Sequence, residues 1–190
     1  FWDVASPYTY FASTQVRALA ERAGAELVYR PFLIGGVFKA SGNVMPGANP
    51  FKARYMVKDL ARWRDQYQVP FKIPVQEVTF PINSLLPMRV AVALDEKGGD
   101  FCHAVMRAYW GEGRDVSQAD EVKAVLHSMG ENADAVLAKT QDQDVKDKLR
   151  AATDEASERG AFGAPTFFIE DEMFWGNDRF EFIEQRLRNA

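Results

Sequence analysis

The stretch Ser6-Pro7-Tyr8-Thr9 is the first place where this chain could do chemistry. Phe1 to Ala5 is an apolar run interrupted only by Asp3, and Ser6-Pro7 then opens a helix whose apolar positions Tyr10, Phe11, Val16, Leu19 and Ala20 keep helical spacing up to Gly24. Ser6 therefore reads as the N-cap and Pro7 as the first helical residue. A strand feeding straight into a capped helix brings a hydroxyl and several free backbone N–H groups to one point, which favours an anion there. Ser-Pro is also among the commonest helix starts, so plain capping accounts for the pair on its own. Without a neighbouring base a hydroxyl is a poor nucleophile, and no His is placed to activate Ser6. The chemistry open to it is hydrogen-bond donation.

A second stretch of this kind lies toward the other end. In Gly163-Ala164-Pro165-Thr166-Phe167-Phe168-Ile169 a proline precedes a β-favouring run; Glu170-Asp171 makes an acidic turn, and a second apolar run breaks at Trp175-Gly176-Asn177-Asp178 into a helix. Proline is tolerated at the first residue of a strand, where the missing ladder donor is not needed. Two readings of Ala164-Pro165 are open: an ordinary strand start, or a cis bond that turns backbone groups toward a ligand. Asn177 and Asp178 stand at the strand-to-helix junction, where capping and ligand binding can coexist.

The elements between must position these two stretches. Glu26 to Pro31 reads as a strand returning after the first helix, giving a right-handed strand–helix–strand unit with Phe1 to Ala5. From Phe32 to Asn49 periodicity disappears and glycines accumulate, which predicts a long loop with at most a helical turn around Val37 to Ala40. Lys39 is the only charged residue in that loop, and a solvated lysine is its plain reading. Asn49-Pro50 repeats the cap-and-proline pair and starts an amphipathic helix to Tyr67, whose charged members, Asp59 among them, form a solvated face. Pro70, Pro74 and Pro81 keep the next stretch extended as far as a cap at Asn83, and Leu85 to Leu94 reads as a buried helix. Further helices run from about Asp100 to Trp110, from a near capping box at Ser117-Gln118-Ala119-Asp120, from Asn132, and from Asp142 or Asp144 to Arg159. The pattern predicts a helical domain over residues 50–159, inserted into a small mixed sheet built from 1–49 and 160–190.

Composition narrows the function classes. At 190 residues the chain fits one domain, or one domain carrying a large insertion. A net charge of -4 offers no basic footprint, so nucleic acid is not an expected partner. No apolar run approaches the roughly 20 residues that span a bilayer, and no signal peptide is seen, although the chain opens without Met. The single cysteine, Cys102, rules out an internal disulfide, suits a reducing compartment such as the cytoplasm, and sits in a helical pattern as a small buried thiol. His103 and His127 have no other ligand types at metal spacing, so no metal site is expected.

Together the two ends resemble the thioredoxin-like fold with a helical insertion, as in the bacterial disulfide oxidoreductases of the periplasm. The expected fold class is therefore α/β, a thioredoxin-like fold with a large all-helical insertion domain. In those oxidoreductases the turn reads Cys-x-x-Cys; here it reads Ser6-Pro7-Tyr8-Thr9, and a hydroxyl cannot carry out thiol–disulfide exchange. More closely, Ser6-Pro7-Tyr8-Thr9-Tyr10, Tyr29-Arg30-Pro31, Gly35-Gly36-Val37-Phe38-Lys39, Arg107-Ala108-Tyr109-Trp110, Gly160-Ala161-Phe162-Gly163-Ala164-Pro165-Thr166 and Phe174-Trp175-Gly176-Asn177-Asp178-Arg179 are similar to the 2-hydroxychromene-2-carboxylate isomerases. These are glutathione-dependent enzymes of bacterial aromatic degradation, related to the kappa-class glutathione transferases.

The resemblance runs over nearly the whole chain and departs from the family pattern around Val75 to Asn83. It implies glutathione as a cofactor regenerated each turnover, a small aromatic carboxylate as substrate, and a homodimer. It implies that Ser6 donates a hydrogen bond to the glutathione sulfur, and that Ala164, Pro165, Trp175, Gly176, Asn177 and Asp178 hold the tripeptide. Lys39, Asn49 and Pro50 fall on the substrate side, with Phe80 a candidate to stack on the aromatic ring. A kappa-class-like transferase, or a non-catalytic thiol or peptide binder on the same scaffold, are the alternatives.

Overall fold

The structure, a computed structural model, describes residues 1–73 and 81–189. Its regular sheet is a hairpin near the end of the chain. β1 (Thr166–Ile169) pairs antiparallel with β2 (Glu172–Trp175), Thr166 facing Trp175 and Ile169 facing Glu172. The N-terminal segment lies against β1, where Phe1 and Thr166 exchange both backbone hydrogen bonds, at 2.8 and 3.1 Å. On its other side Trp2 donates to the Arg30 carbonyl at 3.0 Å and accepts from the Phe32 N–H at 3.1 Å, forming a parallel bridge to Pro31. Four extended segments thus lie side by side. The strands expected over Phe1 to Ala5 and Glu26 to Pro31 are nevertheless reduced to that one bridge. Asp3 is the cause on one side: its carbonyl accepts from Ser6 N–H at 3.2 Å and its Oδ1 from Ala5 N–H at 2.9 Å, which turns the chain after Trp2. On the other side Pro31 has no N–H with which to extend a ladder.

The helix expected from Ser6 to Gly24 is two helices, α1 (Pro7–Ser13) and α2 (Val16–Ala23). Two hydroxyls break it. Ser13 Oγ and Thr14 Oγ1 donate to the Tyr10 and Phe11 carbonyls, each at 2.7 Å, in competition with the helical ladder. Gly24 ends α2 at φ 64°.

The expected loop over Phe32 to Asn49 contains a two-turn helix, α3 (Ile34–Ser41), and a short 3-10 turn at Pro46–Ala48. Its two glycines argue against a helix by propensity, and tertiary contacts override them. The Ile34 N–H donates to Asp3 Oδ2 at 2.8 Å, the Leu33 N–H donates to Thr153 Oγ1 at 3.0 Å, and Val37 packs with Phe32, Ala156, Ala161 and Ala164. A Cβ at Gly36 would stand 2.8 Å from Thr153 Cγ2, so the glycine allows this close approach.

Everything regular between is helical among the described residues: α4 (Pro50–Tyr67), α5 (Leu85–Ala93), α6 (Gly98–Met106) with a π-helical extension Arg107–Gly111, α7 (Ala119–Ser128), α8 (Ala133–Lys139) and α9 (Gln143–Glu158). α10 (Phe180–Arg188) follows the hairpin. Asn49 and Asn132 cap α4 and α8 as expected, accepting from backbone N–H groups. The capping box at Ser117 does not form, because the Ser117 hydroxyl donates instead to Asp115 Oδ1 at 2.6 Å. One apolar core joins the N-terminal segment to the helices, running from Trp2, Val4 and Phe11 to Met88, Phe101 and Leu126.

α5 and α6 touch where Gly98 begins α6, and a Cβ there would stand 2.7 Å from the Ala91 carbonyl oxygen. Gly98→Ala is expected to destabilise by about 1 to 3 kcal/mol through overpacking, lowering Tm by several degrees in calorimetry. An unchanged Tm would contradict the close helix contact.

Candidate active site

Ser6 is the N-cap of α1 and is 6% exposed. Its hydroxyl donates to the Ala164 carbonyl at 2.7 Å and accepts from the Thr9 N–H at 3.3 Å. The first helix start and the proline turn therefore meet, and the Ala164-Pro165 bond is cis. Below Ser6, Trp110 Nε1 donates to the Val4 carbonyl at 2.8 Å, and Asp3 holds the turn from beneath.

On the far side of Pro165 the hairpin continues the same surface. The Gly176 N–H donates to the Pro165 carbonyl at 3.1 Å, and Gly176, at φ 106°, swings the chain out of β2. Trp175 is 42% exposed; its ring packs on Phe162 at 4.8 Å between centroids and lies so close over Gly163 that a Cβ there would meet its Nε1 at 2.6 Å. Asn177 is 2% exposed, and its Nδ2 has no hydrogen-bond partner. Its carbonyl accepts from Tyr67 Oη at 3.1 Å, which ties the junction to α4. Asp178 pairs with Arg179 at 2.9 Å. Asn177 and Asp178 also face a cavity of about 560 Å³ bounded by Arg22, Trp63, Tyr67 and Glu184, whose lining does not include Ser6.

A model of the DSBA-like thioredoxin domain matches residues 1–188. The chain belongs to that family. Among its relatives, 2-hydroxychromene-2-carboxylate isomerase of Sphingobium xenophagum is 33% identical, over 98% of this chain and 95% of the relative. Human glutathione S-transferase kappa 1 is 30% identical, over 98% of this chain and 88% of the relative. A solved 2-hydroxychromene-2-carboxylate isomerase structure superposes with a TM-score of 0.86 at 27% identity, covering 99% of this chain and 92% of that one. The DsbA-like chain is thus similar throughout its length to enzymes, isomerases and kappa-class transferases alike, on the expected thioredoxin-like fold with its helical insertion.

Within this DsbA-like scaffold the structure brings Ser6, Ala164, Pro165, Trp175 and Gly176 together, with Asn177 and Asp178 following directly. Lys39 stands exposed on α3, and Asn49 and Pro50 start α4. Among the described residues no hydrogen bond joins these three to Ser6. Asn49 Oδ1 is committed to the N–H groups of Phe51 and Lys52, at 2.9 and 3.3 Å, and Pro50 has none, so the start of α4 offers its amide Nδ2 rather than backbone donors. Phe80 lies outside the described residues. Cys102 is buried, and burial pushes its thiol pKa up, which leaves it unreactive.

Two residues matter that sequence reasoning did not place. Asp59, expected on a solvated face, is half-buried and accepts from Tyr8 Oη at 3.1 Å and Tyr55 Oη at 3.4 Å, clasping α1 to α4. The other is Asp3, whose signal was its interruption of an apolar run. Burial pushes its carboxyl up to about 6, against three hydrogen bonds that pull the other way. The folded chain thus holds this proton up to about pH 6, while the ordinary carboxyl value is 3.8. The group therefore contributes stability below pH 4 that is lost as pH rises through 6, roughly 3 kcal/mol at about 1.36 kcal/mol per pH unit. In urea unfolding, the stability of wild type relative to Asp3→Asn should fall by about 2 to 3 kcal/mol between about pH 4 and pH 7. A difference that does not vary with pH would contradict a buried, titrating Asp3.

Proposed function

We propose that this chain is a glutathione-dependent cis–trans isomerase that interconverts 2-hydroxychromene-2-carboxylate and trans-o-hydroxybenzylidenepyruvate in the breakdown of naphthalene-type aromatics. The observation that carries this reading is the Ser6 hydroxyl held 2.7 Å from the carbonyl before a cis proline, where a ligand thiol could be met by a donor. The relatives named as isomerases support it.

The residues fit glutathione. Asn177 Nδ2 is a buried donor without a partner, suited to the γ-glutamyl carboxylate, and Asp178 beside it suits the ammonium. The Ala164 backbone suits an extended tripeptide added like a strand, with Trp175 as the wall. When bound, glutathione supplies a thiolate that adds reversibly to the conjugated substrate, allowing bond rotation before elimination.

What Ser6 contributes follows from its one proton. To face a thiolate it must give up its bond to the Ala164 carbonyl, which then takes an N–H from the tripeptide. The exchange replaces a neutral hydrogen bond of about 0.5 to 1.5 kcal/mol by a charged one of about 1.5 to 3. α1 is short and starts with proline, so its N-terminus adds only about 0.3 kcal/mol. Ser6 thereby lowers a bound thiol from about 8.5 to near 7, enough for much of it to be ionised at neutral pH. Lys39 and Asn49 Nδ2 provide charge and a donor for the pyruvate carboxylate and the developing enolate. Phe80 is assigned to stacking on the aromatic ring.

We also place the enzyme in the cytoplasm as a homodimer. The buried single Cys102 supports the reducing compartment, and the apolar surface that α4 leaves open, with Phe51 80% exposed, supports a second copy.

The test is an absorbance assay for loss of 2-hydroxychromene-2-carboxylate with and without glutathione. Turnover should require glutathione and leave its concentration unchanged. Stoichiometric consumption with release of a conjugate would establish a kappa-class-like transferase, and turnover undiminished without glutathione would end the proposal.

A further inference from the structure

Asp3 is fully buried, and three elements close on its carboxylate. Oδ1 accepts from the Ala5 N–H at 2.9 Å, inside the turn that delivers Ser6. Oδ2 accepts from the Ile34 N–H at 2.8 Å, the first N–H of α3, and from Ser84 Oγ at 3.0 Å, just before α5. The Asp3 carbonyl takes the Ser6 N–H at 3.2 Å. One side chain therefore grips the turn that ends at Ser6 and the helix that carries Lys39.

The chemistry of the site demands this residue type. Three donors converge on two oxygens, and only a carboxylate offers acceptors on both without bringing a donor of its own. An asparagine would turn an N–H₂ toward one of the donors, and a glutamate would push an extra methylene into a packed core. All the partners are neutral, so no cation offsets the burial of the charge. An apolar side chain would avoid that cost but leave the Ala5 and Ile34 N–H groups and the Ser84 hydroxyl without their acceptor.

We propose that Asp3 is a positioning residue that fixes the Ser6 hydroxyl relative to α3, so that the thiol side and the Lys39 side of the site keep one spacing. This rests on the isomerase reading above. A misplacement of even about 1 Å between the two sides costs roughly 100-fold in rate, whereas glutathione held by Trp175 to Asp178 would feel little of it.

The test uses the full chain. Asp3→Asn should fold and, well below its Tm, show kcat reduced roughly 10- to 100-fold with KM for glutathione changed by less than about threefold. Amide exchange at Ala5 and Ile34 should accelerate about tenfold or more while exchange at the core residues Val105 and Leu126 stays the same. Ile34→Pro keeps the carboxylate on the Ser6 turn and removes the α3 donor at a position that tolerates proline, together with part of the Ile34 packing on the cluster around Val37, so it covers the case in which Asp3→Asn fails to fold and is read against Ile34→Ala, which trims that packing and keeps the donor. Ile34→Pro should lower kcat several-fold with KM for glutathione unchanged. Unchanged kcat in both folded variants would overturn the proposal, including the outcome in which exchange speeds up but kcat does not, which would reduce Asp3 to an anchor of the fold. If wild type shows no glutathione-dependent turnover, the isomerase reading fails instead, and exchange at Ala5 and Ile34 alone decides whether Asp3 ties the turn to α3.

Discussion

A serine hydroxyl has one proton to give, and in this chain it goes to the carbonyl of a residue 158 positions away. That bond joins the first turn of the molecule to the loop before the hairpin, and much of the surrounding structure keeps it in place. Asp3 shapes the turn from beneath and Trp110 holds its Val4 carbonyl. On the opposite side Thr166 Oγ1 donates to the Gly163 carbonyl at 2.8 Å, and the hairpin ladder reaches Pro165 through Gly176. The Ser6 hydroxyl is thereby buried, oriented and occupied. A ligand that takes its proton must also satisfy the carbonyl it leaves, because a buried carbonyl without a donor costs about 1 to 3 kcal/mol. An extended peptide can do both, and a bare thiol cannot.

On the proposed reading the same constraint leaves no need for a reactive cysteine. In the disulfide oxidoreductases that the sequence resembles this turn reads Cys-x-x-Cys; here it reads Ser6-Pro7-Tyr8-Thr9, and Cys102 is sealed inside the core. On the proposed reading the sulfur arrives with the ligand and leaves with it. On that same reading Ser6 would contribute a stronger hydrogen bond to the ionised sulfur than to the carbonyl, a difference of roughly 1 to 2 kcal/mol, as the whole of its catalytic effect.

Features set by local chemistry were readable from the sequence. The caps at Ser6, Asn49 and Asn132 and the hairpin around Glu170-Asp171 depend on a few consecutive residues, and the structure shows each. Features set by distant contacts were not. α3 exists despite its glycines because Asp3, Thr153 and the apolar cluster around Val37 hold it. The strand expected at Phe1 to Ala5 is cut short by the side chain of Asp3, and the first helix is divided by the hydroxyls of Ser13 and Thr14. Asp59 read as a surface charge because nothing in α4 reveals Tyr8, which reaches it from α1, although Tyr55 one turn earlier in α4 also donates to it. At the site, Ser6, Ala164 and Pro165 were legible as a pair of stretches, whereas the grip of Asp3 on both Ser6 and α3 needed the fold.

The most direct measurement of the central claim is the ultraviolet absorbance of the glutathione thiolate, titrated with pH while bound to wild type and to Ser6→Ala. The account predicts a bound thiol that ionises about 1 to 2 pH units below free glutathione in wild type, and close to the free value in Ser6→Ala with the tripeptide still bound. The same titration curve for both proteins would contradict it.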